Sequence, residues 1–202
     1  MEFTRLAVLY VHLVACCVAI GLVLTHDIAM VRELLDGKGP AHPDPKALQT
    51  LQSTVSRALA VLWVTGVAIV ALDVSVKGLD YFLNPKLQAK IGLVVLLTAN
   101  GVLLHRTVLP MLQKAGSLLK LNFDQRLLAV FAGALSGVTW FYAAFMGVAR
   151  PLAWKFSLMQ LLGAYPVLVL GGFCAMLGLT SWAKARDDYR NRFYLDTRLV
   201  VR

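Results

Sequence analysis

Residues 6–25 read LAVLYVHLVACCVAIGLVLT, twenty residues with no Asp, Glu, Lys or Arg. A helix needs about 20 apolar residues to cross the hydrocarbon core of a bilayer. This stretch meets that length at one blow, and four more runs of the same kind follow it. The five predicted spans are about 6–26, 58–76, 87–109, 127–149 and 156–182. Outer-membrane strands would instead read as alternating segments of about 10 residues, and these runs do not alternate. The fold class expected is all-α: a polytopic helical bundle of five transmembrane helices. Residues 1–182 form its single domain and 183–202 a basic tail.

Composition agrees with the spans. Of 202 residues, 58 % are hydrophobic and 15 % charged, against about 45–50 % and 25 % in soluble domains. The net charge of +9 does not point to nucleic acid, because the basic residues flank the apolar runs and form no stripe. On a five-span topology, six Lys and Arg fall on the side of the N-terminus and fourteen on the other. The positive-inside rule then sets the N-terminus outside and the C-terminus in the cytoplasm of a bacterial inner membrane. The expected partners are the lipid bilayer and, were a large channel formed, further copies in a homo-oligomer.

The punctuation between spans is readable. Gly37, Gly39, Pro40, Pro43 and Pro45 mark a loop after the first span. Pro45 to Arg57 reads as a surface helix feeding the second span. Asn84 is placed to cap the third, with Pro85 at its first position, and Pro110 marks its end or a kink. Asp124 is a candidate cap for the fourth span. The short connection after Arg150-Pro151 makes spans four and five antiparallel neighbours. Gly133 and Gly137 have the small-xxx-small spacing that lets helices pack closely.

Polar residues inside a span are expensive, so each is a candidate functional residue. His12 and His26 lie on the first span, Asp73 on the second, and Lys90, Asn100 and His105 on the third. His12 and His26 are nearly four helical turns apart, about 21 Å along one face. Lys90 and His105 have almost the same separation. Spans one and three run in the same direction, so if they are neighbours His12 faces Lys90 at the outer level and His26 faces His105 at the inner level. That layout suits haem b, whose iron commonly takes imidazole ligands. His26 and His105 are the candidate bis-histidine pair, His12 a further metal ligand, and Asn100 a further cofactor contact. Lys90 is the candidate catalytic group, since a desolvated amine can act as a base. The alternative is that these side chains hold helices together or relay an ion, and that the protein is a non-enzymatic scaffold or small transporter subunit.

The three cysteines lie in apolar runs and imply no disulfide framework. Cys16 and Cys17 with Met146, Met159 and Met176 form no Met-x-x-Met or Cys-x-x-Cys pattern, which disfavours copper. No phosphate-binding loop, nucleophile elbow or zinc-protease motif is present.

Two stretches carry a resemblance. Tyr10-Val11-His12-Leu13 through Leu24, and Asn84-Pro85-Lys86-Leu87-Gln88-Ala89-Lys90-Ile91-Gly92-Leu93, resemble the HemJ-type protoporphyrinogen oxidases and the related CopD-like membrane proteins. The resemblance implies an essential His in the first span and an essential Lys early in a later one, positions that His12 and Lys90 match. It also implies a haem-associated oxidoreductase, with His12 as ligand and Lys90 near substrate or haem. The likeness covers a minority of the chain. The Gly/Pro loop, residues 104–110 and the last two spans do not share it.

Overall fold

In the computed structural model, residues 2–36, 45–149 and 154–200 are described, with side chains for 3–36, 49–149 and 154–190. The described residues contain helices and turns and no strand. Helix α1 is Glu2–Asp36, α2 Pro45–Lys77, α3 Pro85–Leu103, α4 Leu109–Ala115, α5 Phe123–Val148, α6 Leu158–Leu162 and α7 Ala164–Val200. Five helical stretches are long and apolar enough to cross a membrane: Phe3–Asp36, Gln49–Lys77, Pro85–Ala115, Phe123–Val148 and Leu158–Arg190. The Gly/Pro loop at 37–44 and the Arg150-Pro151 connection lie outside the described residues.

The start of α3 follows from its sequence. Asn84 accepts a hydrogen bond from the Lys86 amide, and Pro85 occupies the first helical position, where its missing N–H costs nothing. The far end does not stop at Pro110. Residues Leu104–Val108 widen into a single π-turn, and the helix resumes as α4. Pro110 has no N–H to give the Arg106 carbonyl, and Leu109 donates to Leu104 instead. Gly116 ends α4 at φ 70°, in the left-handed region.

Helix α5 begins two residues earlier than a cap at Asp124 would require. Asn122 stands at the cap position with no side-chain cap, and Asp124 lies in the first turn, where its charge favours the helix dipole. The fifth span is two pieces. Ser157 and Gln160 form a capping box on α6, which ends at Leu162 because Pro166 offers no N–H to the Leu162 carbonyl. A β-carbon at Gly163 would sit 3.1 Å from the Met159 carbonyl oxygen, so glycine fits this break. Helix α7 then continues beyond 182 to Val200, so the basic segment begins as an extension of the last span.

Three buried clusters hold the bundle. Ala15 and Ala19 of α1 meet Ala58 and Leu62 of α2 with Leu97 and Trp140. Small residues at that crossing let two backbones approach, where lipid supplies no hydrophobic drive for association. Ala89 and Leu93 of α3 pack on Tyr142, Met146 and Leu161. Val108, Leu121, Ala129 and Ala132 form the third cluster. Helices α5 and α7 are neighbours: Phe131 and Phe173 pack edge to face at 5.5 Å, and a β-carbon at Gly172 would lie 3.4 Å from Val138. The first and last spans are clamped together as well. Arg186 donates to the Leu35 carbonyl at 2.6 Å and the Leu34 carbonyl at 2.8 Å. It thereby gives a charged donor to two carbonyls in the last described turn of α1, where a cation is favoured.

Candidate functional site: an intramembrane cavity and a polar cluster

A cavity of about 930 Å³ lies between the helices, bounded by α1, α2, α3, α4, α5 and α7. Its wall is almost wholly apolar, with His26, Asp27, Gln52, Ser56, Ser136 and Tyr142 the polar residues in it. The size sits near the top of the roughly 300–1,000 Å³ of small-molecule sites.

Glycines open this space. Gly101, Gly133 and Gly137 all line it, and a β-carbon at Gly101 or Gly133 would meet nothing within 4 Å. Gly133 is therefore not at a close helix-packing contact, contrary to the reading from its spacing with Gly137. The tight α5–α7 approach is made at Gly172 instead. At Gly137 a β-carbon would lie 3.4 Å from Asp27 Oδ2. Gly137 is close to the middle of the 26-residue α5, so α1 crosses α5 in a way that carries the Asp27 carboxylate well along that helix. The carboxylate has no hydrogen bond or ion pair among the described residues. Asp27 is not among the candidate residues taken from the sequence. The available signal was the helix itself, which runs on without a breaker to Asp36.

The predicted residues fall into separate places. His26 is exposed and lines the cavity. His105, within the π-turn, lies in a neighbouring cleft of about 550 Å³ with Gln49, Gln52, Ser53 and Ser56 of α2. The two histidines thus border the same α2 residues, Gln52 and Ser56, from different pockets. Asn100 is only 4 % exposed and is directed at α5, donating to the Ala132 carbonyl at 2.9 Å, with its own Oδ1 unsatisfied.

His12 and Lys90 belong to a second, half-buried cluster. His12 Nδ1 lies 2.8 Å from Thr65 Oγ1, which is itself 2.6 Å from the Val61 carbonyl. If the hydroxyl donates to that carbonyl, His12 donates through Nδ1 and keeps the lone pair of Nε2 for a ligand or proton. Lys90 interacts electrostatically with both His12 and Cys16, one turn further along α1. It has no hydrogen bond or ion pair among the described residues. Neither His12 nor Lys90 lines the large cavity.

Asp73 pairs away from Lys90. It binds Arg5 at 3.2 Å and Lys77 at 3.6 Å, and Tyr81 beyond the end of α2 also hydrogen-bonds to it. Burial, reinforced by the Asp73 carboxylate, pushes the Tyr81 phenol from its ordinary 10 up to about 12. No group of three or more His, Cys, Asp or Glu among the described residues is arranged to hold a metal ion.

No protein-family model, curated protein or solved structure matches the chain. The site's own geometry therefore carries the functional reading.

Proposed function

We propose that the chain is a multi-pass protein of the bacterial inner membrane, N-terminus outside and C-terminus cytoplasmic, that holds haem b in the intramembrane cavity and has a redox role. One observation carries this reading: an almost wholly apolar space of about 930 Å³ with an accessible imidazole, His26, in its wall. The fit is a large apolar volume for the macrocycle and one ring nitrogen for the iron. His105 lines the neighbouring cleft, on the other side of Gln52 and Ser56, so His26 is the ligand this reading assigns. Haem b, when bound, supplies one-electron exchange between ferric and ferrous iron. Gln52 and Ser56 offer hydrogen bonds at the polar rim, while the aliphatic wall excludes water. Lys90 with His12 is the site we assign to proton handling in the other cluster.

A second reading is favoured by three side-chain bonds that tie helices together. These are His12 to Thr65, Trp63 Nε1 to Thr98 Oγ1 at 3.0 Å, and Asn100 to the Ala132 carbonyl. On it, the polar residues are packing devices in a non-enzymatic scaffold or transporter subunit.

An absorption spectrum separates the two. Protein purified after expression with ample haem should show a Soret band that shifts on reduction and is lost in His26→Ala. A folded wild-type protein with no Soret band rejects the haem reading. A band unchanged in His26→Ala rejects the assignment of its ligand.

A further inference from the structure

Arg126, the fourth residue of α5, is 6 % exposed, and its Nε and Nη1 are buried without a hydrogen-bond partner. No ion pair to it exists among the described residues. Asp124, two residues away, is exposed and does not pair with it. The nearest compensation is the face of Phe123, whose ring centroid is 5.9 Å from the guanidinium carbon. A ring face at that distance leaves the N–H groups unsatisfied. A buried guanidinium without an acceptor is among the costlier features a protein can carry.

The surroundings point to what would satisfy it. Long side chains on a helix lean toward its N-terminus, and the contact with Phe123 places the guanidinium over the first turn of α5. That turn has no side-chain cap, so its first amide N–H groups also lack a partner from Asn122. Free amides and the positive end of the helix dipole favour an anion. Helix α5 has 26 residues, about 39 Å at 1.5 Å per residue, which exceeds the roughly 30 Å hydrocarbon core. Its first turn therefore stands at headgroup depth. The exposed Arg106, Lys114 and Lys120 precede it on the same stretch of chain.

We infer that Arg126 and the uncapped start of α5 form a binding site for a phosphate group, taken from a phospholipid headgroup or from free phosphate. A guanidinium offers a planar fork of donors suited to phosphate oxygens. The site is independent of the haem reading.

The test starts in maltoside micelles, which contain no phosphate, and measures thermal unfolding. Phosphatidylglycerol and inorganic phosphate are added in separate arms. A ligand at ten times its Kd raises Tm by about 3–6 °C in a chain of this size. The wild type should show such a rise with at least one probe. A rise with lipid alone identifies a headgroup, and a rise with both identifies phosphate in general. Arg126→Met should match or exceed the wild-type Tm in the bare micelle, because it removes an unpaired buried charge, and should lose the probe-dependent rise. Should Arg126→Met not fold, Arg126→Gln replaces it, and native mass spectrometry of the wild type counts retained lipid before and after an excess of inorganic phosphate. The inference is overturned if neither probe raises the wild-type Tm, or if a folded Arg126 variant keeps the full rise.

Discussion

Replacing Gly133 with leucine should stabilise the protein while closing its cavity. A β-carbon there meets nothing within 4 Å, and the residue lines the large intramembrane space. Glycine inside a helix costs about 0.8–1.0 kcal/mol relative to good helix formers, and Gly133→Leu recovers that. Burial adds little in a bilayer, because lipid tails are as apolar as leucine. The net gain is about 1 kcal/mol, or about 2–4 °C in Tm for a chain of this length. Gly172→Leu is the contrasting change. Its β-carbon already lies 3.4 Å from Val138 and 4.0 Å from Ala134, so the larger side chain overpacks the α5–α7 contact and costs about 1–3 kcal/mol. Thermal unfolding of both variants in one detergent, with the Soret absorbance of haem-loaded samples as second readout, checks the pair. Gly133→Leu should melt higher and bind less chromophore. A Gly133→Leu protein that melts several degrees below wild type would refute the open cavity, since it would mean that the glycine packs against something solid.

Three further changes probe the supporting contacts. Arg186→Ala removes two charge-assisted hydrogen bonds to the end of α1 and a stacking contact with Trp182 at 4.5 Å. Its cost should be about 2 kcal/mol, read as a fall in Tm, with Arg186→Lys in between. Thr65→Val keeps the shape of the side chain but removes the partner of His12; interhelical polar contacts in membranes average about 0.6 kcal/mol, so a loss of that order is expected and Thr65→Ser should retain stability. Tyr81 should titrate near 12 by ultraviolet absorbance, and in Asp73→Asn its value should move back toward 10. The phenol's folded value is raised, so the stability it lends is complete below about pH 10 and fades as pH climbs through 12.

The spans were readable because one physical quantity, the length of sequence without charge, defines them. The start of α3 was readable for a similar reason: Asn84 and Pro85 act on amides only a few bonds away. What was not readable depends on how helices cross. Arg5 reaches Asp73 across 68 positions of sequence, and nothing local chooses that partner over Lys90. Gly133 and Gly137 have the spacing of a packing face, yet the same absence of side chains can line a void, and only the neighbouring helices decide which. Asp27 followed from neither pattern, because its placement beside Gly137 depends on the angle between α1 and α5. Matching depths along α1 and α3 did anticipate that His12 and Lys90 would be near one another. Equal depth could not show that His26 and His105 open into different pockets.

The clamp between Arg186 and the end of α1 has a consequence for biosynthesis. Its two halves are separated by about 150 residues, so during translation the Leu34 and Leu35 carbonyls wait for this partner until the span carrying Arg186 has been made. The α1–α2 hairpin can form early from the interlocking alanines, but the ring of helices is shut only when the final span arrives. A nascent chain arrested before Arg186 should therefore lack the clamp between its first and last spans, a mark for the quality-control proteases that survey unfinished membrane proteins.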